Sequence, residues 1–75
     1  MTAKKLVEAI RNAQFDEKFS ELKNQIISQI ENTSNLDESV SFISHLIVNS
    51  NISNEEKGIF FEELADAARK AYENN

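Results

Sequence analysis

Apolar and polar positions recur with a helical period along nearly the whole chain. In a first segment, about Thr2 to Ala13, Leu6, Val7 and Ile10 share one face and Thr2 is placed to cap the start. In a second, about Phe15 to Asn32, Phe15, Phe19, Leu22, Ile26 and Ile30 follow at spacings of 4, 3, 4 and 4. At about 100° per residue they fill a stripe roughly 80° wide, nearer to a coiled-coil seam than to a broad core face. On one straight helix the two stripes would point roughly 150° apart. Either the helix breaks near Asn12-Ala13-Gln14, with Asp16 capping the next helix, or it runs on and its first turns pack against another chain. Asp16 favours the break; Ala13 and Gln14 are good helix formers and do not force it.

Asn32-Thr33-Ser34-Asn35 reads as a loop, because these side chains compete for backbone groups. A third segment, about Leu36 to Asn49, presents Leu36, Val40, Ile43, Leu46 and Ile47 on one face with Phe42 at its edge. Asn35 and Glu38 resemble a capping box at its start. After a loop at Asn49-Ser50-Asn51, Ser53 followed by Glu56 forms a capping box for a fourth segment, Asn54 to about Glu73. There Phe60, Phe61, Leu64, Ala65, Ala67, Ala68, Ala71 and Tyr72 spread over roughly 160°, wide enough for two neighbours. The pattern predicts an all-α fold: a small three- or four-helix bundle, one domain over residues 1–75, assembled as an oligomer.

Composition sharpens the oligomer expectation. The chain has 75 residues, no Cys, no Pro, one Gly and one His. That length is near the lower limit for a lone core, and neither a disulfide nor a thiolate metal site is open to it. Self-association is the common remaining device. Leu6, Val7, Ile10, Phe19, Ile26 and Phe61 are the candidate oligomer contacts. Phe60 and Phe61 lie about 100° apart, so one ring serves the core and the other a contact.

The net charge is −5, which repels phosphate backbones and anionic membranes and argues against direct nucleic-acid binding. Lys4, Lys5, Arg11, Lys18 and Lys23 lie in the first third, and no Lys or Arg falls between Asn24 and Glu56. No segment approaches the ~20 apolar residues of a membrane span, and no apolar run follows Lys4 and Lys5, so the sequence reads as cytosolic.

Catalytic chemistry finds little footing. The adjacent carboxylates Asp16-Glu17, Asp37-Glu38, Glu55-Glu56 and Glu62-Glu63 point about 100° apart on a helix and form no acid/base dyad. Asp37, Glu38, Glu55 and Glu56 suit first helical turns, where negative charge is favourable. His45 projects with Glu38 and Ser41 on a polar face. A single Gly admits no phosphate-binding glycine loop. No cofactor and no enzyme activity are expected.

The sharpest surface feature is an acidic stripe: Glu55, Glu62, Asp66 and Glu73 fall within roughly 40° on the fourth segment, with Ile59 beside them. An apolar anchor rimmed by charge is typical of an interface. Glu55, Ile59, Glu62, Asp66 and Phe60 are the candidate partner contacts. The expected function is a helical protein–protein interaction module, homo-oligomeric, acting as a regulator, inhibitor or adaptor. One alternative is an acidic mimic of nucleic acid, using the same stripe with Asp37 and Glu38. Another is a small-ligand binder with an intersubunit pocket using Lys4, Lys5, Arg11 or Tyr72.

Overall fold

The computed structural model describes residues 2–73, in which four α-helices and one 3₁₀ turn account for all the regular structure. Helix α1 spans Ala3–Asn12, and the Thr2 hydroxyl accepts the Lys5 backbone N–H at 3.2 Å. After it the chain is extended, with Ala13 at φ −75°, ψ 148° and Asp16 at φ −56°, ψ 142°. The 3₁₀ turn Glu17–Phe19 follows, its Lys18 N–H received by Asp16 Oδ1 at 3.2 Å, and leads straight into α2, Ser20–Ile30. Helix α3 spans Leu36–Val48, with Asn35 Oδ1 accepting the Glu38 N–H at 3.1 Å. Helix α4 spans Asn54–Glu73.

The break after α1 needs no Gly and no positive φ among the described residues. Two interactions stabilise it. The Lys23 ammonium, reaching back from α2, donates to the Arg11 carbonyl at 3.2 Å and the Ala13 carbonyl at 3.0 Å. It thereby satisfies acceptors that a helix end leaves open. The aromatic rings then fix the path: Phe60 of α4 lies 5.2 Å from Phe15 and 5.0 Å from Phe19, both tilted. Such tilted pairs are the favoured aromatic geometry.

This path removes the conflict between the two stripes. Leu6, Val7 and Ile10 turn into the same core as Phe19, Leu22, Ile26 and Ile30, together with Ile43, Ile47, Phe60 and Leu64. Ile10, Phe19, Ile26, Ile30, Ile47 and Phe60 are fully enclosed. The expectation that Leu6, Val7, Ile10, Phe19 and Ile26 contact another chain is corrected accordingly: the break lets one chain cover all five. The Cα radius of gyration, 11.5 Å, matches the ~11 Å of a compact chain of this length.

Helix α1 packs chiefly on α4, α2 chiefly on α3, and α1 also touches α2. Helix α3 departs from the expected face. Ser39 is buried and Val40 is half exposed, because the enclosed line runs Ser39–Ile43–Ile47. Ser39 is accommodated there because its hydroxyl donates to the Asn35 carbonyl at 3.1 Å, which gives the buried hydroxyl a partner.

Candidate surface on helix α4

Helix α4 starts where its sequence says it should. Glu56 N–H donates to Ser53 Oγ at 3.1 Å, and Ser53 N–H donates to Glu56 Oε1 at 3.1 Å, completing the capping box. The Ser53 backbone N–H holds the Glu56 carboxyl below the usual carboxylate value, aided by the Ser53 hydroxyl and by Lys18. Lys18 Nζ lies 3.8 Å from Glu56 Oε2, and Lys57 Nζ donates to the Val48 carbonyl at 2.7 Å. These contacts clamp the first turn of α4 onto the 3₁₀ turn and the end of α3.

With its start clamped, α4 turns Phe60, Leu64 and Ala67 inward. The other half of its wide apolar arc stays uncovered: Phe61 is 39% and Tyr72 66% exposed, and Ala65 is exposed as well. The described residues supply no second neighbour that covers this half of the arc. Phe60 is fully enclosed, so it is corrected from a partner contact to a core residue. Phe61 is the ring left at the surface.

Glu55, Ile59, Glu62 and Asp66 are all exposed, as a contact surface requires. Their charge is less uniform than the sequence suggests. Asp66 pairs with Arg69 at 3.4 Å and with Lys70 at 3.4 Å. Neighbouring Glu63 has one carboxylate oxygen, Oε2, shielded from solvent without a hydrogen-bond partner among the described residues.

The remaining candidate groups do not converge. Lys4 and Arg11 line an open cleft beside Glu31, Asn32 and Thr33, and Arg11 is paired with Glu31 at 3.3 Å. Tyr72 lies outside that cleft. His45 is exposed at the end of α3, its backbone carbonyl accepting the Asn49 side-chain amide at 2.9 Å. Among the described residues no cluster of three or more His, Asp or Glu is placed to hold a metal ion. Nor is any helix there long and apolar enough to cross a membrane.

The sequence reading missed Lys23, whose role depends on a carbonyl pair ten and twelve residues upstream. It read the α4 arc as wide enough for two neighbours but did not say which of Phe60 and Phe61 faces outward, nor single out the 3-and-4 spacing of Phe61, Ala65, Ala68 and Tyr72. Neither protein-family models, nor curated proteins, nor solved structures give a match to this chain.

Proposed function

We propose that this chain is a non-catalytic helical interaction module that works as a homo-oligomer and engages a protein partner through the solvent side of α4. The observation that carries this reading is the location of the exposed apolar side chains. Of the five large hydrophobics exposed among the described residues, Ile59, Phe61 and Tyr72 belong to α4. Scattered exposed apolar residues need no explanation, but three on one helix, with Ile59 on one flank and Phe61 and Tyr72 on the other, do. Ile59 supplies the anchor and Glu55, Glu62 and Asp66 the polar rim of the partner contact.

Mimicry of nucleic acid is disfavoured by the same helix. Arg69 and Lys70 interrupt the acidic stripe at Asp66, whereas a mimic needs continuous negative charge. An intersubunit ligand pocket using Lys4, Lys5, Arg11 or Tyr72 has less support, since Arg11 is paired with Glu31 and Tyr72 lies outside the cleft that Lys4 and Arg11 line.

Affinity capture from host extract tests the reading, with wild type, Ile59→Asp and Glu8→Gln on helix α1 compared side by side. A protein retained by wild type and by Glu8→Gln but lost with Ile59→Asp is the expected outcome. Equal retention by all three, or none by wild type, overturns the α4 contact.

A further inference from the structure

The uncovered half of α4 has a regular form. Gly58, Phe61, Ala65, Ala68 and Tyr72 follow at spacings of 3, 4, 3 and 4, the alternation of a coiled-coil seam. They fall within about 80° of one another, and their centre lies roughly 110° from that of the core-facing Phe60, Leu64 and Ala67. Gly58, Phe61, Ala65 and Tyr72 are exposed and Ala68 is half-buried. A methyl group at Gly58 would meet nothing within 4 Å. No charged side chain falls inside the seam: Lys57 bounds one edge, and Glu62 and Arg69 bound the other.

We propose that a second copy of this chain covers the seam, with the two α4 helices antiparallel about a twofold axis. This rests on the reading of α4 as an interaction surface and names the occupant of its second flank. The charges at the seam's edge select the occupant and the register. In an antiparallel pair, each edge of a seam meets the same edge of the other helix. Setting Phe61 opposite Tyr72 of the second copy sets Ala65 opposite Ala68. It also brings Glu62 of each chain to Arg69 of the other, so the twofold axis makes the ion pair twice. A slip of one heptad sets Arg69 against Arg69 in one direction; in the other it sets Glu62 against Glu62 while Arg69 of each chain meets Glu55 of the other. Only the unslipped register makes two ion pairs with no like charges in contact.

The seam's shape agrees with this register. Alanines at the middle allow close approach of the backbones, and the rings at each end fill the wider space. A parallel pair would stack Gly58 on Gly58 and leave a gap.

Sedimentation equilibrium of the full chain across the micromolar range, with circular dichroism as the check of folding, tests the proposal. Wild type is expected to associate to a dimer. Phe61→Asp is expected to weaken association by about tenfold or more, as loss of a central aromatic contact does. Should Phe61→Asp lose its helical spectrum, Ala65→Glu on the same exposed seam carries the test. Glu62→Arg and Arg69→Glu each place like charges together and are expected to weaken the dimer by roughly tenfold, while the double swap restores it to within about threefold. A wild type that sediments as a monomer throughout, or a folded seam variant that associates like wild type, overturns the dimer. A double swap as weak as either single change overturns the register. Loss of a captured protein with Ile59→Asp, alongside a monomeric wild type, would sink the seam and leave the partner-binding reading standing.

Discussion

Gly58 sits in the second turn of α4, exposed, with open space where a side chain would begin. A glycine in a helix interior costs about 1 kcal/mol against alanine, because its unfolded chain has more freedom to lose. Gly58→Ala is therefore expected to raise stability by roughly 0.5–1 kcal/mol, read from the urea midpoint at unchanged slope. An unchanged or lower midpoint would mean that the added methyl group meets something this geometry lacks. Glu56 gives a second prediction at this scale. Its carboxyl is held below the usual value of about 4.5 by the Ser53 N–H, the Ser53 hydroxyl and Lys18. A carboxyl lowered in the folded state stabilises fully above its unfolded value, and that contribution disappears as pH falls through the folded value. Glu56→Gln is thus expected to melt below wild type at neutral pH, with the gap closing in acid below about pH 4.5. A gap that stays constant through that range would remove the carboxylate from the account. Both features were legible in the sequence, because a cap and a lone glycine act within one turn. Ser39 and Val40 were not: which neighbour faces the core depends on how α3 is rotated against α2, and one residue's step turns a side chain by about 100°.

The element whose form was least predictable is the link from α1 to α2. The sequence allowed a break or a continuous helix, since Ala13 and Gln14 suit either. What stabilises the break is supplied from elsewhere: Lys23 on the next helix, and Phe60 far along the chain packed on Phe15 and Phe19. Lys23 also lies 5.4 Å from the centre of the Phe15 ring, so one ammonium serves both the carbonyls and the aromatic face. Lys23→Met keeps much of the packing stem and removes the donors. It is expected to destabilise the fold by about 1–2 kcal/mol, in the range for hydrogen bonds to a charged group that is only partly buried. Urea unfolding measures this directly, and a loss under a few tenths of a kcal/mol would place the stability of the break in the rings alone. Helix α4 was the most legible element, with both ends matching its pattern. Its apolar arc was read at full width, but the sequence alone did not divide it. The packing of Phe60 on Phe15 and Phe19 shows that Phe60 is inside and Phe61 outside.

Across the whole molecule, all-helical architecture followed from periodicity, while the ground for proposing self-association changed. Opposed stripes on α1 and α2 suggested that one chain could not close its own core. The extended link closes it, and the candidate contacts Leu6, Val7, Ile10, Phe19 and Ile26 became interior. The case for a second copy now rests on α4 alone, on a seam separated from the core. The two surfaces should therefore respond differently to substitution. Phe60→Ala is expected to cost roughly 3–5 kcal/mol, a large part of the stability of a small domain, whatever the protein concentration. Phe61→Ala should leave a folded chain whose melting temperature no longer rises with concentration. Similar losses in the two variants, both independent of concentration, would show that Phe61 too is a core residue.

The pairing of α1 with α4 and α2 with α3 also has a consequence for how the protein is made. On the ribosome α1 emerges first, yet the helix it packs against chiefly is the last of the four to appear. Until then Leu6, Val7 and Ile10 have only α2 and α3 to lean on, and Phe15 and Phe19 lack the ring that joins them. The α2–α3 hairpin, joined by a short loop, is free to close early; the remainder must wait for Phe60 and Leu64. A nascent chain ending before residue 54 should accordingly give no cooperative melting transition. Its apolar α1 face would then be open to whatever binds unfinished chains, and completion of α4 would be the event that withdraws it.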